Sequence, residues 1–187
     1  MLSTAELYAL ISGRCITDRL PWVEQNASSV EAFYRSACAT VERTANVSSR
    51  TEWDHYGSGY ASYIDAWFYR PTADFHVDQP LKYGHEYKGL VVLLSRLAPF
   101  FAFMEEEKRW SAHAASSYLP SLEAIDDLRS PAVRDLAAKV QVTLEGLGLA
   151  RAFKADLALP LPQGVSVTTN LTDRGFTQFD ALFYWDD

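Results

Sequence analysis

The chain has 187 residues, 48% of them hydrophobic, and 24 acidic against 17 basic side chains give it a formal charge of −7. This length and apolar content predict one domain, residues 1–187, with a sizeable core, and they exclude a disordered or disulfide-stapled chain. The negative charge repels phosphate backbones, so we expect neither nucleic acid nor an anionic membrane as a partner. It favours a basic partner, or it serves solubility alone.

The first residues and the cysteines predict a cytoplasmic protein. Residues 1–16 lack the basic start of a secretory signal, and Glu6 interrupts their apolar run. The longest apolar stretch, residues 89–104, contains an arginine and a proline and is shorter than the ~18 to 20 residues of a membrane span. Cys15 and Cys38 belong to no C-x-x-C pair, so we expect two reduced, buried thiols.

Three helix starts can be recognised from capping residues. Ser3 and Ser28 each precede a glutamate by three positions, which is a capping-box pattern, and an apolar stripe at helical spacing follows each of them. Ser130 followed by Pro131 is typical of a helix start, and a long apolar stripe follows this pair as well. We therefore predict one short helix and two long ones.

Strand-like composition alternates with turn residues in the rest of the chain. Strands are predicted at residues 60–69, 89–94, 100–104, 157–161, 165–169 and 177–185. The second and third of these strands would form a hairpin, and the last three a meander. In the terminal strand, Phe179, Ala181, Phe183 and Trp185 would share one face. The order of elements predicts an α+β fold, in which a mainly antiparallel sheet packs with two or three helices.

The sequence contains no recognised catalytic, metal or cofactor motif, and we expect none of these sites. His76 and Asp78 could place two ligands on one strand face, but no third ligand follows at a recognised spacing. Asp54, His55 and Ser58 bring a carboxylate, an imidazole and a hydroxyl together. They keep open the alternative of a small cytosolic hydrolase or transferase with a dispersed active site. The strand before and helix after a nucleophilic serine are not predicted around Ser58.

Three consecutive glutamates, Glu105 to Glu107, directly follow an apolar strand and lead to Trp110. Charges at the end of a strand commonly protect a sheet edge from pairing with other chains, so we expect a solvated strand end. The alternative interpretation is an acidic contact patch for a partner.

The C-terminal third combines a helix, a proline-containing link and an aromatic end. The predicted helix at residues 130–147 is followed by Leu-Pro-Leu-Pro at residues 159–162 and by Phe-Asp-Ala-Leu-Phe-Tyr-Trp-Asp-Asp at residues 179–187. In a small acidic α+β domain, this arrangement resembles the immunity proteins of bacterial polymorphic-toxin systems. The resemblance implies a protein without enzymatic activity that binds a cognate toxin, often a nuclease or another degradative enzyme, and blocks it. No functional residues are transferred from that family.

A contact face for a basic toxin would combine acidic side chains, which steer the partner, with aromatic rings, which anchor it. The residues predicted to form it are Trp53, Asp54, Tyr56, Glu105, Glu106, Trp110, Asp186 and Asp187. A regulatory module that binds a small molecule in an aromatic pocket is a further alternative. The sequence leaves the oligomeric state open.

Overall fold

In a computed structural model, the chain forms an α+β fold with a mostly antiparallel sheet, which confirms the predicted class. The structure describes residues 2–57, 59–77, 85–110, 115–116, 118–169 and 175–186. The α-helices are α1 (Thr4–Ile11), α2 (Ala27–Ala45), α3 (Pro131–Gly146), α4 (Lys154–Leu157) and α5 (Gln178–Leu182). Single turns of 3-10 helix cover Trp22–Glu24, His55–Gly57 and Ala73–Phe75. Within the described part of the chain, the helices lack the combination of length and apolar character that a membrane span requires.

Within the described residues, eight strands form two sheets. They are β1 (Ser48–Glu52), β2 (Tyr60–Ala61), β3 (Tyr63–Tyr69), β4 (His85–Ser95), β5 (Phe100–Trp110), β6 (Ala115–Ser116), β7 (Ala150–Arg151) and β8 (Trp185–Asp186). The main sheet has the order β1-β3-β4-β5-β6, and β7 pairs with β5 in parallel. Strands β2 and β8 pair separately. The predicted hairpin is confirmed as β4 and β5, which are 11 residues each and therefore longer than predicted.

The main sheet separates two layers. On one face, α2 and α3 cover the sheet, and the Glu42 carboxylate of α2 accepts a hydrogen bond of 2.8 Å from the Ser49 hydroxyl of β1. On the other face lies the C-terminal segment, where the Phe183 ring is 6.3 Å from the ring of Tyr63 on β3. Helix α5 in turn contacts α1. The sheet is thus buried on both sides, which explains the continuous apolar runs of β4 and β5.

The three predicted helix starts are confirmed, with differences in their caps. Ser3 forms the complete capping box at α1. Helix α2 begins one residue before Ser28, because the Asn26 side chain caps it by accepting a bond of 3.0 Å from the Ser28 amide. Helix α3 begins at Pro131, but the Ser130 hydroxyl makes no cap bond and donates instead to the Glu105 carboxylate.

The predicted terminal strand is wrong over most of its length. Residues 178–182 form α5, and only Trp185 and Asp186 pair as a strand. The cause is a capping box that the alternating pattern concealed: the Asp180 carboxylate accepts a hydrogen bond of 2.7 Å from the Thr177 amide. All five residues of α5 are buried, so the helix shows no polar face from which its period could be recognised.

The predicted strands at residues 157–161 and 165–169 are also wrong. Leu157 ends α4, and the segment beyond it is irregular apart from one isolated bridge between Pro160 and Thr177. Pro160 and Pro162 both lack the amide hydrogen that a strand needs for regular pairing. The link therefore crosses the surface of the fold without joining a sheet.

The two cysteines are free, with Cys38 buried in α2 and Cys15 half-buried. Burial raises the pKa of the Cys38 thiol to about 12, whereas an unfolded thiol ionises near 9.0. Because the unfolded state then loses its proton first, the stability contributed by this neutral thiol should fall as the pH rises from 9 to 12. Unfolding measured across this range should therefore show a shallower decline for Cys38→Ala than for the wild type. Equal slopes would contradict a protected thiol.

Candidate functional site

Two concavities meet at Tyr60, at the end of the main sheet where β3 begins and β4 ends. The Tyr60 cleft has a volume of about 520 Å³ and is lined by Ile11, Ser12, Gly13, Tyr60, Ser166, Val167, Thr168, Tyr184 and Asp186. The Arg96 pocket has a volume of about 160 Å³ and is lined by Gly13, Cys15, Gln25, Asn26, Ala27, Val30, His55, Tyr60, Arg96 and Leu97. Gly13 and Tyr60 belong to both, so the two spaces adjoin.

The loop beside these concavities holds an uncommon backbone conformation. His55 and Tyr56 have φ angles of 50° and 59°, in the left-handed region that residues other than glycine rarely occupy. The Glu52 carboxylate supports the loop by accepting hydrogen bonds of 2.8 Å from the Asp54 amide and 3.3 Å from the Tyr56 amide. Such conformations cluster at functional sites, because the surrounding structure must hold them in place.

His55 is oriented by the backbone of β2. Its Nδ1 atom accepts a hydrogen bond of 2.9 Å from the Ala61 amide, and its ring stacks on Tyr60 with 5.3 Å between centroids. Burial, with a further contribution from Arg96, lowers the pKa of the imidazole below its usual range. The ring is therefore neutral at pH 7, and its remaining proton lies on Nε2, which makes that atom a hydrogen-bond donor.

Arg96 is a nearly buried cation, with 7% of its surface exposed. Its Nη2 donates to the Trp53 carbonyl at 2.9 Å and its Nε to the Tyr63 carbonyl at 3.3 Å. Its Nη1 lies 3.8 Å from the Glu31 carboxylate, whose other oxygen is held at 2.7 Å by Arg35. Burial lowers the pKa of the Arg96 guanidinium, so its neighbours do not fully compensate for the lost hydration.

Tyr56 connects this loop to a buried polar cluster on β3. Its hydroxyl donates to Asp65 at 3.2 Å, and the Tyr118 hydroxyl donates to the other oxygen of Asp65 at 2.7 Å. The Lys108 ammonium is 3.9 Å from the same carboxylate. Burial raises the pKa of Asp65 and lowers that of Lys108. The cluster fixes the Tyr56 ring in the interior, so this residue supports the loop at residues 53–56 from its buried side.

The structure brings four of the predicted contact residues to this end of the molecule: Trp53, Asp54, Tyr56 and Asp186. Asp54 is exposed, and Asp186 is half-buried opposite Tyr60 in the β2–β8 pair. The Tyr56 ring is 5.4 Å from that of Trp185, the residue before Asp186. Trp53 is half-buried, and the Arg35 guanidinium lies over its ring, 4.1 Å from the ring centroid.

Glu105, expected at a solvated strand end, is instead 4% exposed. Strand β5 continues through the glutamates, and alternation turns the Glu105 side chain towards α3. Its carboxylate accepts hydrogen bonds from the amide and the hydroxyl of Ser130, the former at 2.8 Å. This carboxylate therefore holds the start of α3 and is not available to a partner.

Glu106 and Trp110 lie away from the Tyr60 cleft. Glu106 is half-buried, and its backbone carbonyl accepts a hydrogen bond of 3.0 Å from the Trp67 indole. Trp110 ends β5 and packs edge-on against Trp67, while Arg50 lies 3.9 Å over its ring. At about 3.3 Å per residue, the ten steps of β5 place Trp110 roughly 33 Å from the strand's first residue. These residues do not join the surface formed by Asp54 and Asp186.

Asp187, Ser58 and Asp78 lie outside the described residues. Of the three residues named for the hydrolase alternative, the structure therefore describes Asp54 and His55. Because the Ala61 amide occupies Nδ1 of His55, this atom does not donate to the Asp54 carboxylate, as an orienting acid would require. Among the residues described, no group of three or more histidine, cysteine or acidic side chains is arranged to hold a metal ion.

Sequence reasoning missed the parts played by Tyr60, Cys15 and Arg96. Arg96 did leave a signal, since it is a charge inside the apolar run of residues 89–104. A cation in such a run must either reach water or be held by buried acceptors, and here carbonyl groups hold it.

Comparison with known proteins found no match among protein-family models, curated proteins or solved structures.

Proposed function

We propose that this chain is a binding protein that neutralises a cognate bacterial toxin by direct contact, and that the toxin is basic. The contact surface, called here the Tyr60 surface, consists of Asp54, Tyr60 and Asp186. Tyr60 and Asp186 line the Tyr60 cleft, and Asp54 precedes His55, whose ring stacks on Tyr60. The proposal joins the sequence resemblance to immunity proteins with the net charge of −7 and with the position of these three residues.

The observation that carries the proposal is an exposed ring with one acid opposite it in the β2–β8 pair and a second acid in the neighbouring loop. Tyr60 is 38% exposed, faces Asp186 across the β2–β8 pair, and stacks on His55, the neighbour of Asp54. An arginine or lysine of the toxin could contact the exposed part of the Tyr60 ring close to Asp186, which combines a cation–π contact with charge attraction. The cleft beside the ring offers a concave seat for the surrounding residues.

Binding kinetics with purified toxin should separate the two parts of this surface. We expect Tyr60→Ala to raise the Kd by about tenfold or more, chiefly through faster dissociation, because an anchoring ring is lost. The double variant Asp54→Lys with Asp186→Lys should slow association by about tenfold at low salt and flatten its salt dependence. Surface plasmon resonance at several salt concentrations measures both rates.

Matched controls come from exposed residues that do not line the Tyr60 cleft. Tyr8 is also an exposed tyrosine, on α1, and Tyr8→Ala should leave dissociation unchanged. Asp135 and Glu145 are exposed on α3, beyond the opposite face of the sheet, so converting both to lysine changes the net charge equally. If this pair slowed association as much as the Asp54 and Asp186 pair, net charge alone would govern binding, and the Tyr60 surface would be rejected.

A further inference from the structure

The Arg96 pocket has a polar lining that the proposed toxin contact does not use. Two of its side chains, His55 and Arg96, are hydrogen-bond donors, and their other ring or guanidinium nitrogens already form hydrogen bonds with the backbone. His55 binds the Ala61 amide through Nδ1, and Arg96 binds two backbone carbonyls through Nε and Nη2. His55 Nε2 and Arg96 Nη1 line a space of about 160 Å³, and the contact of Nη1 with Glu31, at 3.8 Å, is longer than a hydrogen bond.

Among the described residues that line the pocket, Arg96 is the one charged side chain, although the protein as a whole is acidic. Glu31 is shared by two arginines, with Arg35 at 2.7 Å and Arg96 at 3.8 Å. The Glu31 and Glu52 carboxylates partly offset the charge of Arg96, but neither of them lines the pocket. The first turn of α2 also borders the pocket at Ala27, where the helix dipole adds to the attraction for an anion.

We propose that the Arg96 pocket binds an oxyanion, either a carboxylate or a phosphate group, between Arg96 and His55. The volume suits a group of this size, and the apolar wall from Val30 and Leu97 excludes a large hydrated ligand. The ligand is a free small anion, and inorganic phosphate and acetate both present such oxygen atoms. This inference adds a site to the Tyr60 surface and depends only on the pocket itself.

Cys15 supplies a direct readout, because it lines the pocket and is half-buried, whereas Cys38 is buried in the core. Iodoacetamide, a neutral reagent, should alkylate Cys15 of the native protein. Inorganic phosphate or acetate bound in the pocket blocks the access of iodoacetamide to Cys15. Its negative charge also opposes formation of the Cys15 thiolate. At about ten times its Kd, the bound anion should slow alkylation about tenfold relative to chloride of equal ionic strength. Mass spectrometry of the Cys15 peptide measures the rate.

Variant proteins assign the protection to the pocket. In His55→Asn, the amide oxygen can still accept from Ala61, and asparagine tolerates the left-handed backbone, but the Nε2 donor is lost. We expect this variant to retain its melting temperature and to lose the protection. His85→Ala, which removes an exposed histidine beside Trp110, should keep it. Arg96→Gln is less informative because Arg96 also joins Trp53 to Tyr63.

Protection of Cys15 by either anion, and its loss in His55→Asn, supports the site. Slowing by phosphate alone identifies a phosphate group as the ligand, and slowing by both anions identifies the shared oxyanion chemistry. The absence of any slowing at up to about 50 mM of either anion, a range well above millimolar affinity, overturns the proposal. Equal protection in His55→Asn and the wild type also overturns it. A failure here with intact Tyr60-dependent toxin binding would reject the pocket alone.

Discussion

Phe183→Ala should lower the free energy of unfolding by about 3 to 5 kcal/mol, as expected for removal of a fully buried aromatic ring. Phe183 is 0% exposed, and its ring lies 5.6 Å from Phe179 and 6.3 Å from Tyr63. Its removal would leave a cavity between α5 and the sheet. Urea denaturation monitored by circular dichroism measures the loss.

The control for this substitution is Val142→Ala on α3. Val142 is 72% exposed, so its truncation should change stability by no more than about 0.5 kcal/mol. If Phe183→Ala were equally mild, the C-terminal segment would not be part of the core.

Glu105→Lys should destabilise the protein by about 3 kcal/mol or more, or prevent folding, because it buries a cation where two hydrogen bonds to Ser130 are lost. The new ammonium would also lie near Arg129, whose guanidinium donates to the Glu105 carbonyl at 2.9 Å. Thermal melting of the purified variant, or its recovery in the soluble fraction, measures the effect.

Glu107→Lys is the matched control, since Glu107 lies two residues further along the same face of β5 and is exposed. It loses only an ion pair of 3.6 Å with Arg109, which is worth at most about 1 kcal/mol at an exposed position. Equal stability of the two lysine variants would show that the Glu105 carboxylate does not hold the start of α3.

The elements that sequence reasoning found are those specified by neighbouring residues. Ser3 and Ser130 mark the starts of α1 and α3, and the long apolar runs specify the β4–β5 hairpin. Helix α5 was missed because it is buried all round, so its residues alternate in size without a polar stripe. Charge near Glu105 predicted exposure, but strand alternation and the docking of α3 decided its burial.

The candidate site was only partly predictable, for a related reason. The loop at residues 53–56 offered rings and a carboxylate in one short segment, so Asp54 and Tyr56 could be selected. The Arg96 pocket instead joins residues 15, 55 and 96, which only the tertiary fold brings together. The β2–β8 pair likewise joins Tyr60 to Asp186, 126 positions apart. Local periodicity contains no information about such pairings.

Titration of the toxin encoded beside this protein's gene tests the central claim most directly. Purified protein should abolish the toxin's activity at an equimolar ratio, and Tyr60→Ala should require a clear excess for the same effect, while Tyr8→Ala should match the wild type. Undiminished toxin activity in a micromolar excess of the wild-type protein would contradict the proposed neutralising function.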